Sequence, residues 1–183
     1  MVALPIVIAP DPRLNKKSAE VPVAQINDDL RKFMDDLLET MYESNGLGLA
    51  AVQVGVLKRI LVMDVAQGST RYDGTQNLEA APDPLFMINP KIVWKSDEKY
   101  VFEEGCLSFP AQFSAVERPK RVRVQFYDYY GMEREMLFEE LASVCVQHEI
   151  DHLDGITFVD HISKMKRDVI MRKMEKQKKR NVF

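Results

Sequence analysis

The chain has little cysteine, one tryptophan and only three histidines in 183 residues. Its two cysteines, Cys106 and Cys145, cannot build a disulfide framework, so the small stapled folds of secreted scaffolds are set aside. No apolar run reaches the roughly 20 residues that span a bilayer, and no membrane partner is expected. The opening residues lack the basic, apolar and small-residue succession of a signal peptide. Together these absences predict a cytoplasmic protein in a reducing compartment. Hydrophobic residues make up 46% of the sequence, enough to close a core at this length, and residues 1–183 read as one domain without internal repeats. The net charge is only −3, but it is unevenly spread: Lys164 to Phe183 holds nine Lys/Arg against Asp168 and Glu175. That leaves +7 on this segment and −10 on residues 1–163. A basic C-terminal helix on an acidic body suits a polyanionic partner; a solvated helix end is the alternative.

Against this plain background one stretch is rich in chemistry: Gln147-His148-Glu149-Ile150-Asp151-His152-Leu153-Asp154-Gly155. Residues i and i+4 of a helix lie on one face, so His148 and His152 can reach one divalent metal while Glu149 stands beside its water. Leu141, Val144, Cys145, His148 and His152 share one helical stripe, which places the histidines on the face a helix buries. Two buried histidines without a partner would be costly, and a metal satisfies both.

A catalytic site needs a third protein ligand. The pattern follows the metzincin motif as far as Gly155, but position 158 is Phe158, not His. Glu175 is the only glutamate downstream and lies among lysines and arginines. The soft donors are the cysteines. Cys145 sits on the apolar stripe and reads as a small core residue. Cys106, in Glu103-Glu104-Gly105-Cys106-Leu107-Ser108-Phe109-Pro110, stands where a strand-like run meets a glycine. Two readings of it remain open on the residues alone: a metal ligand, or a buried thiol that in an oxidising compartment would pair with Cys145.

Three segments in order, Gly46-Leu47-Gly48-Leu49-Ala50-Ala51-Val52-Gln53, Glu104-Gly105-Cys106-Leu107-Ser108 and His148-Glu149-Ile150-Asp151-His152, resemble the signature motifs of the peptide deformylases. The resemblance runs from Asp11-Pro12-Arg13-Leu14 to the basic C-terminal helix. It implies a metal-dependent hydrolase that removes the formyl group from N-terminal formyl-methionine of nascent polypeptides and releases formate. It implies Cys106, His148 and His152 as ligands of one divalent ion, Fe(II) in the cell, with zinc, nickel or cobalt possible as isolated. Glu149 would be the general acid/base toward the hydroxide that attacks the formyl carbon, and Gln53 with the Leu107 N–H would stabilise the oxyanion. The substrate pocket would comprise Leu47, Gly48, Phe102, Gly105, Leu141, Val144 and Cys145. Formyl-methionyl nascent peptides are the implied partners, with the ribosome a candidate for the basic helix and no DNA. Val52 departs from the Pro or Thr common in the first motif. The segment Gln67 to Leu85 is longer than the family's usual connection and reads as an elaborated surface loop.

Two rivals remain: a metallopeptidase cutting internal bonds, which Phe158 and the Cys106 motif oppose, and a nascent-chain binder without catalysis, which would have no use for Glu149 and Gln53.

The expected fold class is α+β: antiparallel sheets packed around a central metal-binding His-Glu-x-x-His helix, with an N-terminal and a C-terminal helix. A helix is predicted over Asp28 to Glu43, capped by Asn27 or Asp28 and ended by Ser44-Asn45-Gly46. Strands are predicted over Arg59 to Val65, Phe86 to Trp94 and Lys99 to Glu103, with Val122 to Phe126 and Glu133 to Phe138 forming a hairpin at Gly131. The metal helix should begin near Glu139. Arg118 is expected either at the surface or neutralising a substrate or a carboxylate such as Glu104, and His161 as a surface or packing residue.

Overall fold

A computed structural model describes residues 2–66 and 80–180. It is a mixed helical and antiparallel-sheet fold with three helices. The first, α1 (Asp28–Glu43), starts where the Asn27 side chain accepts the Leu30 N–H at 3.0 Å. That bond satisfies one of the backbone donors a helix start leaves open. Its end departs from expectation in one detail. Asn45, at φ 53°, takes the left-handed position, and Gly46 follows it, its N–H reaching the Met41 carbonyl at 2.9 Å. Gly46 itself is closely packed, since an added Cβ would lie 2.9 Å from Leu107 Cδ1.

Five antiparallel strands follow in the spatial order β1 (Gly48–Ala50), β2 (Ile60–Met63), β3 (Leu85–Lys95), β6 (Arg121–Tyr127) and β7 (Glu133–Glu139). Successive strand residues face opposite ways, and β2 is buried on both faces. Ile60 and Val62 join Leu30, Met34, Leu37 and Met41 of α1, whereas Leu61 and Met63 join Val146, Ile150 and Leu153 of α2 (Glu140–Leu153). The sheet is thus sandwiched by the two helices. At Gly155 the chain takes φ 77°, and the N–H groups of Gly155 and Ile156 bond to the His152 and Asp151 carbonyls. This left-handed end to α2 is what the glycine of the metzincin-like spacing does here. A Cβ on Gly155 would meet the Asn15 carbonyl oxygen at 2.7 Å.

The second sheet is the hairpin of β4 (Lys99–Cys106) and β5 (Phe109–Pro119). Only β4 was expected, and it runs three residues beyond Glu103. The inner face of β5 carries Gln112, Ser114, Val116 and Arg118, all buried, and polar residues at buried positions hide a strand from any hydrophobic pattern. α2 touches this hairpin as well as strands of the five-stranded sheet. Ser143 Oγ and Gln147 Nε2 donate to the Pro119 carbonyl at 3.1 and 3.0 Å and tie the helix to the end of β5.

α3 (Lys164–Lys179) packs Ile170 and Met174 against Leu14, Phe109, Phe158 and Val159. It is therefore not merely a solvated end, although all eight of its Lys/Arg, and Arg180 just after it, are exposed; its expected continuation through residues 181–183 lies outside the described residues. So does most of the expected loop, residues 67–79. Asp64 ties the flanks of that segment, accepting the Ala66 and Asp83 N–H groups at 2.9 and 3.0 Å and the Tyr42 hydroxyl at 2.6 Å. Leu85 already belongs to β3. Among the described residues, no helix is long and apolar enough to cross a membrane.

Candidate active site

The helical spacing of His148 and His152 does what i and i+4 spacing requires. The rings stand 4.9 Å apart, centroid to centroid, and both are buried. The hairpin brings Cys106 to them from 42 residues upstream of His148, at an irregularity in the β4–β5 register between Gly105 and Cys106. Cys106 Sγ is 3.2 Å from His152 Nε2. One donor atom from each of Cys106, His148 and His152 lies within 4.8 Å of the others, close enough for a single ion to touch all three. Cys106 and Cys145 are both buried thiols not joined to each other.

The chemistry of the donors suits a metal. A thiolate, not a thiol, binds metals. Burial pushes the Cys106 thiol up, but the His152 and His148 rings outweigh burial and bring it down to about 5. His148 Nδ1 is engaged by Glu104 Oε2 at 2.9 Å, which fixes the ring and leaves its Nε2 for the centre, the usual arrangement of a ligating histidine. Phe158, which occupies the place of the third metzincin histidine, lies stacked 6.4 Å from the His148 ring and is fully buried. It packs on the site and supplies no ligand. Glu175 is exposed on α3 and is not among the clustered donors.

Glu149 is buried beside the donors, and its Oε2 has no hydrogen-bond partner among the described residues. Burial raises its carboxyl to about 7, against the pull of His148 and His152. A carboxyl with that value and an unfilled oxygen is suited to exchange a proton with a water or substrate near neutrality. Gly48 makes the room for it: an added Cβ there would lie 2.6 Å from Glu149 Oε1 and 2.9 Å from Cys145 Sγ. The glycine thus lets β1 lie against α2.

Gln53 is oriented by its neighbours. Its Oε1 accepts the Ala50 N–H at 2.8 Å, so its amide nitrogen must face the site, where it donates to Ser108 Oγ at 3.2 Å and Cys106 Sγ at 3.5 Å. The pocket beside the donors is lined by Leu47, Gly48, Gln53, Phe102, Gly105, Leu107, Leu141, Val144 and Cys145, which gathers every residue expected there. Cys145 belongs to a core cluster, Leu141 packs against it and Val144 is buried, so the packing and pocket readings hold together. Burial pushes the Cys145 thiol up, which keeps it an uncharged wall.

Arg118 answers the alternative left open for it. It is 4% exposed and straddles Glu104, with Nε to Oε1 at 2.5 Å and an η-nitrogen to Oε2 at 3.0 Å, while its other η-nitrogen meets Asp151 Oδ2 at 2.7 Å. His161, expected at the surface or in packing, joins this network with its Nε2 2.7 Å from Asp151 Oδ2, and neither Asp151 nor Ser108, which accepts from Gln53, has a role assigned from sequence. The only cue was that Ser108 and Asp151 lie inside motifs.

Comparison with known proteins gives one family. A sequence profile described as Polypeptide deformylase matches residues 3–168. The peptide deformylase of Rhizobium meliloti (strain 1021) is 46% identical over 179 residues, 98% of this chain and 96% of that relative. The crystal structure of peptide deformylase from Ehrlichia chaffeensis in complex with actinonin is 45% identical, with a TM-score of 0.86 over 97% of this chain and 98% of its own. A structure of class I type b peptide deformylase from Acinetobacter baumannii, with Met-Ala-Ser bound, is 34% identical, with a TM-score of 0.80 over 88% of this chain and 99% of its own.

The buried ion pair gives a signed pH prediction. Burial pushes the Glu104 carboxyl up, but hydrogen bonds from His148 and Arg118 outweigh it and hold it at about 2, against an ordinary 4.5. The folded value is the lower one, so this stabilisation is complete above pH 4.5 and is lost as pH falls toward 2. Arg118→Met would strand a buried carboxylate, at a cost of about 3–5 kcal/mol. Urea unfolding of the metal-free variant should show a loss of that size at pH 7 and a smaller one at pH 3, where the stranded carboxyl is protonated. An equal loss at both values would contradict a charge-based role.

Proposed function

The chain belongs to the polypeptide deformylase family, and on that premise we propose that Cys106, His148 and His152 hold one divalent metal ion where the formyl group of a nascent peptide is hydrolysed. The family's activity, metal-dependent removal of the N-formyl group from nascent peptides during protein biosynthesis, is the activity of this chain. The observation that carries the residue assignment is the convergence of three buried donors within 4.8 Å, with the unfilled Glu149 oxygen beside them.

A divalent ion held there would supply Lewis acidity and bring the pKa of a water ligand toward neutrality. The remaining steps belong to the chain's own groups. Glu149, raised to about 7 by burial, takes a proton from water and returns it to the departing amine. Gln53 Nε2, turned inward by Ala50, and the Leu107 N–H donate to the oxygen on which charge develops; one such donor contributes about 3 kcal/mol. Leu47, Phe102, Leu141, Val144 and Cys145 enclose the methionine side chain, with Gly48 and Gly105 beside them in the pocket wall. The Acinetobacter relative with Met-Ala-Ser bound supports a peptide beginning with methionine as the occupant.

The working ion we infer from the family is Fe(II); a thiolate with two imidazoles also accepts zinc, nickel or cobalt. Residues 1–183 act as one cytoplasmic catalytic domain with α2 as its metal-bearing central helix. We further read α3 as a ribosome-docking surface. Its eight Lys/Arg and the following Arg180 are all exposed while Ile170 and Met174 hold it to the body, which suits ribosomal RNA.

Glu149→Ala is expected to keep its bound metal and lose activity on a formyl-methionyl peptide by several orders of magnitude; full activity would refute the mechanism. For α3, the triple charge reversal Lys173→Glu, Lys176→Glu and Lys179→Glu spares the apolar anchors. It should abolish co-sedimentation with ribosomes, and unchanged co-sedimentation would remove the docking role.

A further inference from the structure

Beyond the donors and their immediate partner, an unbroken chain of polar contacts leads outward to a partly exposed histidine. His148 Nδ1 meets Glu104 Oε2 at 2.9 Å. Glu104 is grasped on both oxygens by Arg118. Arg118 reaches Asp151 Oδ2 at 2.7 Å, and the same oxygen meets His161 Nε2 at 2.7 Å. The links come from four elements: β4, β5, α2 and the 3-10 turn Phe158–His161 that follows α2. We propose that His161 is a positioning residue for the metal centre, holding Asp151 so that Arg118 and Glu104 keep the His148 imidazole aimed at the metal. The inference rests on the ligand set proposed above and extends it to a residue outside the three motifs.

The physical case begins with Asp151. Its side chain is 21% exposed, against 4% for Arg118 and 1% for Glu104. It is the member of the chain that solvent can draw away, since a carboxylate at the surface gains hydration by turning outward. Two donors on one oxygen, one from β5 and one from the turn after α2, fix its rotamer from opposite sides. Arg118 has a rigid fork of donors. When its third contact is fixed, the plane of the guanidinium is fixed, and with it the two parallel bonds that set the Glu104 carboxylate. Glu104 in turn determines which His148 nitrogen carries the proton and where the ring points. Without His161, Asp151 is free to turn outward, the guanidinium loses its outer anchor, and His148 is held less sharply.

A merely structural role would be to pin the turn to α2. That turn also carries Phe158, which stacks on His148, so the two roles need separate readouts. His161→Leu keeps bulk without a donor, and His161→Gln keeps an N–H able to reach Asp151. Three quantities are measured on the full chain: zinc affinity by chelator competition, melting temperature of the metal-free protein, and kcat and KM on a formyl-methionyl peptide. Loss of a group that orients a ligating histidine weakens metal binding roughly tenfold or more. The expected result for His161→Leu is roughly tenfold weaker zinc binding and a lower kcat with KM unchanged, at an unaltered metal-free melting temperature, with both losses largely restored in His161→Gln. Wild-type zinc affinity in His161→Leu would overturn the proposal. So would a loss of affinity that only follows a lowered melting temperature, or that His161→Gln fails to restore. Wild-type protein that binds no zinc would instead sink the ligand set itself, which keeps the two failures apart.

Discussion

The structure depends on one buried carboxylate. Glu104 lies 1% exposed in the protein interior, and removing such a charge from water costs several kcal/mol unless partners surround it. Its partners, Arg118 from β5 and His148 from α2, belong to different elements. Satisfying it therefore demands that the β4–β5 hairpin close onto the helix. Once that happens, Cys106, two residues further along β4, is carried to His148 and His152. The same contact that neutralises Glu104 thus assembles the three donors and sets the His148 ring. Electrostatic need and site assembly are one event in this fold.

A second constraint is close approach. The sheet lies on α2 at Gly48, in space a methyl group would deny to Glu149 and Cys145. The three donors and Glu149 are buried, and away from solvent each dipole acts with greater force. That environment raises Glu149 to about 7 and makes the fixed amide of Gln53 more effective than it would be in solvent. Here the requirements of chemistry and of packing coincide: the apolar residues that exclude water, Leu47, Val144 and Cys145, are also part of the pocket wall.

How much of this can be read in the sequence varies with the kind of interaction. α2 is visible because its two histidines fall on an apolar stripe with period 3.6, and α1 is visible for the same reason. Cys106 and Gln53 follow from motif order and not from any periodicity, because they meet the helix only through tertiary folding. β5 escapes notice because Gln112, Ser114 and Arg118 occupy its buried positions, where a pattern search expects Val or Ile. In α3 the charge density masks Ile170 and Met174, two apolar residues that anchor the helix. Asp151 and His161 stand ten residues apart, and their contact arises only after the chain reverses at Gly155.

The most direct test of the account is to measure formate release from a formyl-methionyl tripeptide anaerobically, with bound metal quantified in the same preparation. If the donors gathered around Glu104 form the catalytic centre, formate release should rise in proportion to metal content, saturate at one ion per chain, and identify the working ion. A chain fully loaded with metal at Cys106, His148 and His152 that releases no formate would contradict the account.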